Sequence, residues 1–354
     1  MMYSHRARRE AEADRRRKSA TRAAARDLEI PAVENPRRRR QCAADPERFC
    51  RTYLAEMFSS PFTDDTREML LTIVRCVEHH GLFAIAGPRG CGKTTVAKGA
   101  AIFLICYGLA GFLVLIGKNA DEAAVRLVEI KDQFENNPLL AADFPEICAP
   151  IRALEGWASR GRLQTVGGIR TRIKWSGHCI IFPTVAGSSA SGAVLMAVGR
   201  EGSIRGQNVR SRRPDLAIID DIEDRASVQS PTETATILRT ITEDIAGLAG
   251  PGAFLPIVYP CTISRRGCVA DQLTDRTKNP AWHGRRYQAV TRWPDDADAW
   301  ARYRDQRQKD QYEGDFTARR AHRLYLENRR AMDAGAEVSN PYNYDATPQP
   351  DGTT

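Results

Sequence analysis

The residues best equipped for chemistry are Gly87-Pro88-Arg89-Gly90-Cys91-Gly92-Lys93-Thr94-Thr95. They fit G-x-x-x-x-G-K-[ST] with no mismatch, the pattern of a loop that holds the phosphates of a nucleoside triphosphate. Each part has a physical job. The glycines let the backbone wrap tightly enough to turn its N–H groups toward phosphate oxygens. Lys93 places a point charge on the β/γ-phosphates, and the Thr94 hydroxyl fills a coordination place on Mg²⁺. A second set lies downstream in Leu216-Ala217-Ile218-Ile219-Asp220-Asp221-Ile222-Glu223-Asp224. An apolar strand ending in acidic residues, the Walker B pattern, delivers Asp220 beside the phosphates, where it holds Mg²⁺ through water. A neighbouring carboxylate orients and deprotonates the attacking water; Asp221 is the direct positional candidate and Glu223 the alternative. Carboxylates crowded this closely repel one another unless a cation is near.

These groups work only if strands and helices bring them together. Residues 82–86 predict a short apolar strand just before the loop, and 96–106 a buried helix just after it. Strand, loop, helix is the order the motif requires. Residues 99–117 carry no charge, a length that could suggest a membrane span. Tyr107-Gly108-Leu109-Ala110-Gly111 breaks the run, however, and its second half, 112–116, reads as a core strand covered on both faces. Helical spacing covers 119–134 and stops at Asn136-Asn137-Pro138; an irregular stretch begins at Phe144. Paired strands are expected at 170–174 and 179–182 around Ser176-Gly177, with another at 193–198. A helix over 231–248 precedes a strand over 253–259, which ends in Pro260-Cys261-Thr262 and sets the Thr262 hydroxyl to sense the γ-phosphate. Residues 286–290 read as the last strand of the sheet, and the pattern from Trp293 onward is helical and charged. Upstream, Phe58 and Phe62 are placed either to stack on adenine or to fill the core.

With 354 residues the chain has room for one large α/β domain with appendages, or for two domains. Its nine cysteines are scattered without a C-x-x-C pair, which fits a reducing compartment and suggests no zinc site. The formal net charge is +8, and residues 1–40 hold 12 Arg and 1 Lys against 6 acidic residues. Nearly all the excess therefore sits in an N-terminal arm, suited to a phosphate backbone or an acidic partner, or simply to a solvated, disordered tail. Its arginine-rich start lacks the apolar stretch of a secretory signal. The expected division is a disordered basic arm over 1–44, the nucleotide-binding domain over 45–292, and a helical linker with a polar tail over 293–354.

With both anchors in place, the chain resembles the large terminase subunit of tailed bacteriophages. The likeness runs over roughly residues 45–340. It is carried by Arg89 within the loop, by Lys131-Asp132-Gln133-Phe134-Glu135-Asn136-Asn137-Pro138 leading into Asp143-Phe144-Pro145-Glu146, and by Ser203-Ile204-Arg205-Gly206. Arg213-Pro214-Asp215-Leu216 ahead of the acidic strand end, and Tyr325-Leu326-Glu327-Asn328-Arg329 with Met332-Asp333, add to it. The resemblance implies an α/β fold of the P-loop NTPase (ASCE/RecA-like) class, a mostly parallel sheet with helices on both faces. It implies an ATPase that uses ATP and Mg²⁺ to drive double-stranded DNA into a prohead, with Lys93, Thr94 and Asp220 on phosphates and metal and Asp221 or Glu223 activating water. Thr262 then couples hydrolysis to movement, Arg89 stabilises charge in cis, and Arg205 is offered to a neighbouring subunit's nucleotide, or else is an ordinary loop arginine or a DNA contact. Implied partners are a homo-oligomeric ring, a portal and a small terminase subunit, with no membrane, in the bacterial host cytoplasm. Two departures stand out: Thr66-Arg67 occupies the place of an upstream glutamine, and no strand-borne carboxylate set for a nuclease follows residue 290. Another DNA-dependent ATPase or helicase, and a nucleotide-binding assembly protein without turnover, are the alternatives.

Overall fold

The computed structural model describes residues 27–201 and 208–342. Among them, the apolar runs form an eight-stranded sheet from β1 (Leu82–Ala86), β2 (Phe112–Gly117), β3 (Lys174–Trp175), β4 (Cys179–Ile181), β5 (Val194–Gly199), β6 (Leu216–Ile219), β7 (Ile257–Cys261) and β8 (Trp282–Arg286). The order across the sheet is β8-β1-β7-β6-β2-β5-β4-β3. From β8 to β5 all neighbours are parallel, while β4 and β3 run back antiparallel at one edge. The sheet is therefore mixed, and the fold is α/β.

Side chains alternate across a strand, and both faces are covered. Leu113 and Leu115 of β2 enter one core with the helices α1 (Pro36–Ala43), α2 (Pro46–Tyr53), α3 (Asp64–His79), α4 (Lys93–Cys106), α5 (Ala120–Asn136), α6 (Pro138–Asp143) and α7 (Pro145–Arg152). Phe112, Val114 and Ile116 enter the other, with α8 (Arg225–Gln229), α9 (Pro231–Arg239) and α10 (Val269–Leu273). That dual burial is why β2 is apolar at every position but its closing glycine. No helix among the described residues is long and apolar enough to cross a membrane.

Several expectations need correction. Residues 27–44 are not a disordered arm: Asp27–Leu28 pairs in parallel with Thr165–Val166, and α1 follows. The arginine run finds carboxylates. Asp143, fully buried, accepts from Arg38 Nε at 2.6 Å, from Tyr53 Oη at 2.5 Å and from the Asn35 N–H at 3.0 Å, while Arg39 pairs with Glu146 at 2.6 Å. Residues 1–26 of the arm lie outside the described residues. The stretch after Phe144 is the helix α7, with Pro145 at a first-turn position where no N–H is needed. The last sheet strand is β8, upstream of the expected 286–290. Within it Gly284 lets the strand pass close to the preceding segment, since a Cβ there would stand 2.3 Å from the Thr274 carbonyl oxygen. Val290–Arg292 pairs instead with Glu337–Val338, outside the sheet. Beyond α9 the backbone continues as a π-helical turn (Thr240–Ile245) and a 3₁₀ turn (Ala246–Ala249) rather than one α-helix. The charged C-terminal segment forms α11 (Ala297–Tyr312) and α12 (Arg319–Met332), packed together over Ala299, Tyr325 and Met332.

Candidate phosphate and metal site

The carboxyl ends of β1, β7 and β6 lie side by side, and each delivers part of the site. Beyond β1 the Gly87 N–H donates to the Cys261 carbonyl at 3.0 Å, so the β1–β7 ladder holds the root of the loop. Gly90 and Gly92 then adopt φ of +79° and +82°, a region that L side chains avoid. Gly92 caps α4 without any side-chain hydrogen bond to the first turn, which leaves those backbone donors aimed past the helix end. Lys93 bends back over the loop, its Nζ donating to the Gly87 and Pro88 carbonyls at 3.0 and 2.6 Å and lying 3.7 Å from Cys91 Sγ.

Asp220 follows β6 directly. Its N–H donates to the Ile116 carbonyl at 2.8 Å, and its side chain is buried. Thr94 Oγ1 donates to Asp220 Oδ1 at 3.1 Å, joining the loop to the acidic strand end, and Arg126 of α5 ion-pairs with Asp220 Oδ2. The next residue, Asp221, is exposed and has a φ of +57°, a costly backbone for a residue other than glycine. Glu223 is used differently. It accepts from the Val269 and Ala270 N–H groups that open α10, at 2.8 and 3.0 Å, and from Tyr259 Oη at 3.1 Å. Asp224 caps α8 in a reciprocal pair with Ser227 and lies 3.1 Å from Lys118 Nζ. The Ser227 N–H, with help from Lys118, holds its carboxyl down at about 2 despite some burial.

A cleft of about 1180 Å³ opens between these ends. Arg89, Gly90, Gly92, Lys93, Thr94 and Thr95 line it from the loop, Asp220, Asp221 and Glu223 from beyond β6, and Thr262 from beyond β7. Gly87, Pro88 and Cys91 stand behind, against the Lys93 ammonium. Of the expected site residues, only Arg205 falls outside the described residues. Phe58 and Phe62 resolve as core: their rings stack at 5.2 Å, Phe58 lies against Gly99 of α4, and Phe62 is buried. Sequence reasoning missed Arg126, Lys118, Tyr259 and Arg265, which touch or line the site. None sits in a recognisable pattern, so no sequence signal marked them.

A Mg²⁺ ion takes oxygen ligands, few of them from protein, with the rest from phosphates and water. The Thr94 hydroxyl and Asp220 carboxylate, 3.1 Å apart at the cleft wall, fit that demand. Among the described residues no group of three or more His, Cys, Asp and Glu side chains converges on a metal position. No protein-family model matches the chain, and no curated protein matches it either.

Proposed function

We propose that this chain is an ATP-hydrolysing motor of the large terminase type, with a P-loop NTPase (ASCE/RecA-like) domain, that drives double-stranded DNA into a prohead. The observation that carries the ATPase part is the joining of the glycine loop to the acidic strand end through Thr94 and Asp220, across one cleft at the carboxyl ends of parallel strands. Such ends are where α/β sheets bind their ligands. DNA and prohead enter through the resemblance set out above.

In this reading the loop N–H groups and Lys93 bind the triphosphate, and Thr94 and Asp220 hold Mg²⁺, whose chemistry is to neutralise charge on the β- and γ-oxygens. Asp221, exposed at the cleft, orients a water and takes its proton as the water oxygen bonds to the γ-phosphorus and the bond to the ADP oxygen breaks. Glu223 is already engaged by three donors, which favours Asp221 for this role. Thr262 reports the γ-phosphate to the sheet, and Arg89 adds charge in cis. Copies assemble as a ring on DNA in the host cytoplasm, with Arg205 offered to the neighbouring nucleotide and a portal and small subunit as partners.

The test is phosphate release from ATP by the full chain, with and without linear double-stranded DNA, beside Lys93→Ala. Turnover that DNA stimulates and Lys93→Ala abolishes is the expected result. Nucleotide binding without turnover, at high protein concentration with DNA present, would overturn the motor reading in favour of an assembly protein.

A further inference from the structure

Asp220 is held from two sides, and only one of them belongs to the phosphate loop. Its side chain is 8% exposed, and a carboxylate this deep needs a partner charge. Arg126, itself 16% exposed, supplies it through Nε on Oδ2. The guanidinium is fixed at a second point, because its NH1 donates to the Glu122 carbonyl at 2.7 Å one turn back in α5. That turn is itself anchored, since Asn119 caps α5 by accepting the Glu122 N–H at 2.8 Å. Arg126 stands behind the carboxylate: Thr94 and Asp220 line the cleft, Arg126 does not. The oxygen left to share with Thr94 is Oδ1.

We propose that Arg126 is a positioning residue that makes metal binding at Asp220 conditional on the nucleotide. This rests on the triphosphate reading of the cleft. A divalent cation arriving at Oδ1 meets a carboxylate whose charge is already matched by a fixed guanidinium, and at such range like charges repel strongly. The negative charge of a bound triphosphate supplies the missing attraction, so metal and nucleotide load together. Arg126 also keeps Oδ1, rather than Oδ2, facing the Thr94 hydroxyl, as partners behind a metal-binding carboxylate generally do.

The experiment titrates the full chain with Mn²⁺ alone, no nucleotide, and follows free Mn²⁺ by electron paramagnetic resonance. Wild type, Arg126→Gln, Arg126→Lys and the double variant Arg126→Gln/Asp220→Asn are compared, with fold checked by circular dichroism. Expected is weak binding by wild type and by Arg126→Lys, which keeps the charge. Arg126→Gln binds roughly tenfold tighter, and the double variant loses that gain. With a non-hydrolysable ATP analogue present, wild type and Arg126→Gln converge. A folded Arg126→Gln that binds Mn²⁺ no tighter than wild type overturns the proposal, as does a gain that survives Asp220→Asn. Should Arg126→Gln fail to fold, Arg126→Lys decides: binding Mn²⁺ tenfold more tightly than wild type, it sinks the idea that charge is the device. Failure of wild type to bind a fluorescent ATP analogue with Mg²⁺ counts against the triphosphate reading, while the Mn²⁺ comparison still tests whether Arg126 screens Asp220.

Discussion

Asp221 and Glu223 lie two positions apart and have opposite surroundings. Asp221 projects from a left-handed backbone at φ +57° into the cleft, whereas Glu223 ties Tyr259 to the first turn of α10. Their substitutions separate accordingly. Asp221→Asn keeps triphosphate binding and lowers kcat by roughly 10²–10⁴-fold, the usual worth of a positioned general base. Glu223→Gln loses a charge-assisted acceptor and lowers stability by about 1–3 kcal/mol, read as a shifted urea midpoint. If Glu223→Gln instead abolished turnover at unchanged stability, the two roles would be exchanged. Asp221→Gly adds a further check: it relieves the strained φ, so stability holds or rises while turnover is lost.

At the scale of elements, carboxylates pin helices to the body of the fold, and acid should loosen those pins. Asp143 is the clearest case. Burial pushes its carboxyl up, but Arg38, Tyr53 and the Asn35 N–H together outweigh burial and hold it below the ordinary value of 3.8. Asp224, at the cap of α8, is held at about 2, chiefly by the Ser227 N–H. Both groups bind protons less readily folded than unfolded. They therefore stabilise the fold fully above about pH 4, and that contribution drains away as pH falls toward 2. Urea midpoints measured at pH 7 and pH 3 should differ, and Asp224→Asn should narrow the difference. An unchanged gap in Asp224→Asn would show that the cap does not titrate in this range.

For the molecule as a whole, the N-terminal arginines bear on both charge and fold. Residues 1–26 hold 8 Arg and 1 Lys against 3 acidic residues, an excess that under the proposed function would meet DNA phosphates. Residues 27–44 contribute to the fold through Asn35 and Arg38 on the fully buried Asp143. On the proposed motor reading, removing residues 1–26 should flatten the salt dependence of DNA binding. Removing 1–44 strips Asp143 of its guanidinium and should cost about 3–5 kcal/mol, the usual penalty for an uncompensated buried charge. Equal melting temperatures for the two truncations would show that α1 adds nothing to the fold.

Local pattern was enough for the glycine loop, for the β1, β2 and β6 strands and for the buried helix after the loop. Strand alternation, uninterrupted apolar runs and fixed motif spacing are properties of neighbouring residues. Gly87 to Thr95, Asp220, Asp221 and Thr262 were all legible for that reason. What tertiary structure decided were pairings between residues far apart in the chain, which no local period encodes. Arg126 reaches Asp220 from another element, and Glu223 is captured by the N–H groups of Val269 and Ala270. Arg38, read from sequence as part of a loose arm, closes on Asp143. An arginine run looks the same in sequence whether it stays in water or meets a buried carboxylate. Only packing, which sets the dielectric and the distance, determines which of the two it does.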